Sequence, residues 1–263
     1  MEKKQSNSIE ASPAWVWIPP LIFLASAGII LLSGLNRDLF FLVNQFSLFT
    51  GERIWEVLTF LGDGLAAFVF LFPLIYHRPR WIWSVLIAAL LFTIFGQAVK
   101  HLTQVPRPPQ VLSASEFHLI GPALKYNSFP SGHSAMIFNL AGVFALTSRR
   151  GWLRIFLIAF ALLAAVSRIA VGVHWPADVL AGAAAGWVFV WAGLRLSEHS
   201  PWGWTGWGQK ILGAALLTAS IVLFFSEYTG YPGIGGFKRA VALFFFFWGG
   251  SQYLRVWRAS SGN

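Results

Sequence analysis

The sequence predicts an all-α fold, a polytopic bundle of about eight membrane-spanning helices, and three observations carry that reading. Of the 263 residues, 56% are hydrophobic and only 11% charged, with a mean hydropathy of +0.63, whereas a soluble domain carries about 25% charged residues. Apolar runs long enough to cross a hydrocarbon core of roughly 30 Å, which takes about 20 helical residues, recur along the whole length. These runs do not alternate as barrel strands do, and in lipid a helix satisfies its own backbone groups.

The first run, 15–35, follows Lys3 and Lys4 and contains Ala25-Ser26-Ala27, which resembles a cleavage site. Its apolar residues continue through Leu32, so it reads as a retained anchor of spanning length behind a tail over 1–14. Spans follow at 57–76 and 81–99. The fourth, 131–148, begins after Pro130, a residue suited to a first helical turn because its missing N–H is not needed there. The fifth covers 153–173, and the sixth, 177–196, follows Pro176. Two more, 211–225 and 237–254, end the chain. Trp15, Trp17, Trp81, Trp83, Trp152 and Trp257 mark run edges, where amphipathic rings favour the headgroup level.

Alternating loops put Arg37, Arg53, Lys100, Arg107, Lys125, Arg168, Lys238 and Arg239 on one side and the other eleven of the 19 cations on the opposite side. Setting aside Lys100, Arg107 and Arg168, which have a chemical reason for their places, leaves eleven against five. The positive-inside rule then predicts cytoplasmic termini and an outer face for the polar blocks, as in a bacterial inner (plasma) membrane protein. The net charge of +9 fits orientation and anionic headgroups rather than nucleic acid, because the cations are scattered between apolar segments. With no cysteine there is no disulfide, thiolate nucleophile or cysteine metal site.

Three polar blocks interrupt the apolar chain: Lys100 with Arg107-Pro108, then Pro130-Ser131-Gly132-His133, then Ser167-Arg168 with His174 and Asp178. They fall at the end of the third span, the start of the fourth, the end of the fifth and the start of the sixth, four ends that share one side under alternation. The start of the fourth span offers free N–H groups and the positive helix pole to an anion, Gly132 permits close approach, and the Ser131 hydroxyl adds a donor. His174 and Asp178 are four apart, so the carboxylate can accept from one ring nitrogen and leave the other facing a substrate. Lys100, Arg107 and Arg168 are poor lipid-facing residues but match the equatorial oxygens of a phosphate.

These blocks, complete and in order, resemble the three signature motifs of the type-2 phosphatidic acid phosphatase superfamily. The resemblance implies a six-helix phosphatase core over 15–197, with two additional transmembrane helices in 198–263 that depart from the usual pattern. It further implies a lipid phosphate substrate, no metal and no cofactor. In that mechanism His174 is the nucleophile forming a phosphohistidine and Asp178 orients it. His133 serves as acid and then base, while Lys100, Arg107, Ser131, Gly132 and Arg168 bind the phosphate.

Undecaprenyl diphosphate is the first expected substrate, followed by phosphatidylglycerol phosphate, phosphatidic acid and lipid A phosphates. A lipid phosphotransferase and a non-enzymatic lipid transporter are the alternatives. Among the remaining polar residues, His118, Lys125 and Tyr126 read as an outer loop, His101 as interfacial, and Glu56 and Asp63 as the interfacial start of the second span.

Overall fold

The computed structural model describes residues 9–226 and 230–261; Lys3 and Lys4 lie outside them. It is all-helical, with no strand among the described residues. Each of the eight expected spans falls on helix. They lie on α1 (Pro13–Leu32), the pair α3 (Glu52–Leu61) and α4 (Gly64–Leu71), α5 (Pro79–Thr103), α7 (Gly132–Thr147), α8 (Gly151–Ala170), α9 (Pro176–His199), α10 (Gly206–Phe225) and α11 (Gly235–Ser261). By length and composition five described helices can cross a membrane, or six if the bent pair is one span. At 16 residues α7 is shorter than a full crossing. Exposed Leu32, Phe49, Leu90, Ile94 and Phe247 give the bundle an oily exterior, the surface expected of a protein solvated by lipid rather than water.

The second span departs from the expected continuous helix. Between α3 and α4 the axis turns by 64°, and Asp63 caps the new start by accepting the Ala66 N–H at 3.0 Å. A further helix, α2 (Asn36–Thr50), occupies the stretch that hydropathy leaves between the first two spans, and a short α6 (Pro108–Val111) follows Arg107. It carries Arg37 and Asp38 yet buries Phe40, Asn44 and Ser47, so it is amphipathic and packs on the bundle. Asn36 Oδ1 accepts the Ala177 N–H at 3.0 Å, and Asn44 Nδ2 donates to the Ala170 carbonyl at 2.9 Å. Through these bonds α2 closes the end of the bundle where α8 finishes and α9 begins.

Helix α9 is central, packed against α1, α5 and α7. Gly182 and Gly186 form a small-residue seam toward α7: a Cβ on the first would strike the Ser131 carbonyl, and on the second the Ala135 carbonyl. Such close backbone approach is the usual basis of helix association in lipid, where apolar burial contributes little. The C-terminal pair α10 and α11 packs on itself and on α4 and the turn Phe72–Leu74.

Candidate active site

The polar blocks converge at one end of the bundle. The Ser131 N–H donates to the Asp178 carbonyl at 3.0 Å, tying the start of α7 to the first turn of α9. Ser131 caps α7, accepting from Ser134 N and Ser134 Oγ at 3.4 and 2.9 Å. Pro130 stands before that cap, two positions ahead of the first helical residue, Gly132, rather than in the first turn. Pro176 is at the first turn of α9, as expected.

His174 lies in the tight turn between α8 and α9, only 1% exposed. Backbone N–H groups of Val173 and His174 both donate to the Arg168 carbonyl at 3.2 Å, so the turn folds back over the end of α8. Asp178 Oδ2 lies 3.3 Å from His174 Nδ1 and accepts the Trp175 N–H at 2.9 Å. It also accepts the Ser128 hydroxyl, which lies 3.3 Å from His174 Nδ1. With Nδ1 facing the carboxylate, Nε2 carries the lone pair, and Arg107 Nη1 donates to it at 3.0 Å. Burial, then the charges of Arg107 and Arg168, hold the His174 pKa well below the ordinary imidazole value. The ring is therefore neutral at pH 7, the form a nucleophile needs.

Arg107 is buried and held by main-chain carbonyls of the connection between α5 and α7 and of the turn before α9. Its Nε donates to the Tyr126 carbonyl at 2.8 Å, Nη1 to that of Val173 at 3.1 Å and Nη2 to that of Asn127 at 3.4 Å. Lys125 also contributes backbone, its carbonyl accepting the Arg107 N–H at 2.9 Å. His118 is tied elsewhere, with Glu52 at 2.8 Å and Ser47 at 3.0 Å, and His101 is exposed.

Arg168 is buried at 2% exposure, its Nη1 donating to Thr59 Oγ1 at 3.1 Å and Tyr231 Oη at 3.0 Å. Among the described residues its Nε has no hydrogen-bond partner. Half-buried His133 borders two cavities. One, of about 340 Å³, runs past Lys100, Gly132 and Gly96 to Phe92, Met136 and Asn139. The other, of about 170 Å³, is lined by Arg168, Thr59, Asp63, Leu124 and Tyr231. Lys100, Arg107 and Arg168 are close enough to act electrostatically on both His133 and His174. Among the described residues no three His, Asp or Glu side chains are gathered as a metal site.

Three neighbours of this site are not evident from the motifs: Ser128, Thr59 and Tyr231. Ser128 alone had a local signal, a hydroxyl three residues before Ser131. Asp63, expected at the interfacial start of the second span, borders the His133 cavity.

A model described as the PAP2 superfamily matches residues 81–202. The chain is 31% identical over 176 residues to an undecaprenyl-diphosphatase of Sulfolobus acidocaldarius, covering 64% of this chain and 84% of that protein. It is 32% identical over 110 residues to a lipid A 4'-phosphatase of Bacteroides thetaiotaomicron, covering 37% of this chain and 49% of that protein. The crystal structure of Aquifex aeolicus LpxE superposes with a TM-score of 0.53 at 30% identity, over 61% of this chain and 95% of that one.

Proposed function

The chain belongs to the PAP2 superfamily, and from that premise we propose that it removes the terminal phosphate of a membrane lipid, undecaprenyl diphosphate first, through a phosphohistidine on His174. The observation that carries this reading is the pairing on one imidazole: Asp178 on Nδ1 and a guanidinium on Nε2. The Nη1 donor of Arg107 that rests on Nε2 passes to a phosphate oxygen as substrate enters, while the backbone bonds hold the guanidinium in place, and the lone pair of Nε2 is freed for in-line attack on phosphorus.

The N–P bond forms as the bond from phosphorus to the leaving lipid oxygen breaks, and His133 gives that oxygen its proton. Water then attacks phosphorus, His133 takes its proton, the N–P bond breaks and inorganic phosphate leaves. Lys100, Arg107 and Arg168, with Ser131 and the Gly132 N–H, stabilise the charge on the equatorial oxygens. That cationic set supplies the electrostatics for which a metal is used elsewhere, so the reaction is metal-independent. Support for the lipid comes from the Sulfolobus relative, 84% of whose length is matched. The charge bias of the loops supports an outward-facing site and cytoplasmic termini.

The test is phosphate release by purified protein in detergent with EDTA, across a panel of undecaprenyl diphosphate, phosphatidylglycerol phosphate, phosphatidic acid and lipid A. Release without an added acceptor lipid is expected and separates hydrolysis from phosphotransfer. Activity abolished by EDTA and restored by a divalent cation counts against the metal-free mechanism.

A further inference from the structure

The side chains that hold Arg168 include one from a part of the chain that the family match does not reach. Tyr231 lies in the connection between α10 and α11, beyond the matched residues 81–202. Its side chain nevertheless reaches the site: the ring is 6% exposed, and its hydroxyl oxygen accepts from Arg168 Nη1 at 3.0 Å. Gly121, at φ +81°, makes room for it, since a Cβ there would lie 2.5 Å from the ring. Gly121 is itself fixed, because the neighbouring Ile120 N–H donates to the Val171 carbonyl at 3.2 Å. The ring is thus wedged between Gly121 and the guanidinium.

On the same Nη1, Thr59 Oγ1 is the second acceptor, and it lies 2.9 Å from Ser167 Oγ, which donates to the Ala164 carbonyl at 2.6 Å. Two hydroxyls therefore fix one end of the guanidinium, while its Nε is buried with no partner among the described residues. A buried donor on a cation is costly to leave unpaired, so this edge is matched to an anion that arrives with the substrate. The cavity of about 170 Å³ that Arg168 shares with His133 has Tyr231 in its wall.

We propose that Tyr231 is a positioning residue for Arg168, so that the C-terminal helix pair supplies part of the phosphate site rather than merely bracing the bundle. The inference rests on the proposed phosphatase function. Tyr231 acts before any substrate is present, by holding Nη1 and so aiming the unpartnered edge of Arg168 at the developing charge on phosphorus.

The test is Tyr231→Phe in the full chain, which keeps the ring and removes the hydroxyl. We expect kcat for phosphate release to fall roughly 10-fold, the scale of one hydrogen bond to a charged group, with KM within about two-fold. Inhibition by orthovanadate, which mimics five-coordinate phosphorus, should weaken by a similar factor while the melting temperature in detergent is unchanged. A variant that melts like wild type and keeps both kcat and vanadate inhibition within about two-fold overturns the inference. If Tyr231→Phe lowers the melting temperature, vanadate affinity in an Arg168→Lys background decides: no further loss supports coupling through Arg168, and the same full loss again refutes it. A wild-type protein that releases phosphate from no lipid in the panel refutes the proposed function itself, whereas normal wild-type turnover beside an unaltered variant refutes only the role of Tyr231.

Discussion

Arg107 Nη1 rests 3.0 Å from His174 Nε2, on the ring nitrogen turned away from Asp178. The guanidinium also donates to three backbone carbonyls, so its place is set by the connection between α5 and α7 and by the turn before α9, and not by a carboxylate. Replacing it with Lys keeps a cation but leaves buried carbonyl acceptors unpaired. Arg107→Lys should therefore lower kcat about 100-fold, because Lys is a point charge without the planar fork, and should lower the melting temperature as well. Steady-state kinetics and a thermal melt on the same preparation check both.

His174→Ala should cost at least about 10⁴-fold in phosphate release, and Asp178→Asn about 10²- to 10⁴-fold by mis-setting the ring tautomer. Both variants should remain folded. A transporter that used these cations only to bind a headgroup would keep its transport in His174→Ala, so a flux assay beside the phosphate assay separates the two readings.

Ser128 is fully buried and donates to the oxygen of Asp178 that faces His174. Ser128→Ala should lower kcat about 10-fold, since the carboxylate keeps the Trp175 N–H but loses a neighbouring donor. A kcat equal to wild type would show that the Trp175 N–H and the ring hold Asp178 by themselves.

The pH dependence has a definite sign. Burial and the nearby guanidinium groups hold His174 well below its ordinary value of 6.5, so the folded protein resists a proton that the unfolded chain accepts near that pH. The unfolded state then binds more protons as pH falls below 6.5, and the stability contributed at pH 7 is lost progressively in that direction. Melts should decline below pH 6.5, while the acid limb of kcat/KM that reports His174 should lie below the ordinary imidazole value. An acid limb for His174 at or above 6.5 would contradict this placement.

Gly186 sits where α7 and α9 touch, with the Ala135 carbonyl in the space a side chain would fill. Gly186→Val should force those helices apart and cost about 1–3 kcal/mol or more, seen as a lower melting temperature. Because the same helix pair positions Ser131 against Asp178, activity per folded molecule should fall too.

The chemistry was legible in the sequence because it is written in residue types that lipid makes expensive. Lys100, Arg107, Arg168, His133, His174 and Asp178 stand out against apolar surroundings, and their positions at helix ends follow from span counting alone. The helices themselves were legible for the same reason, since long apolar runs have little choice of structure in a bilayer. Hydropathy averages over a window and carries no direction, so it passed over amphipathic α2 and read the 64° bend at Gly62 and Asp63 as one continuous span. Ser128, Thr59 and Tyr231 are ordinary residues in sequence, and they matter only through partners 46 to 109 positions away. What the chain by itself determined was a membrane helix bundle with cations, two histidines and a carboxylate placed at helix ends. Which hydroxyls and carbonyls hold each charged group there was decided only by packing, because a hydrogen bond depends on where distant segments meet in space.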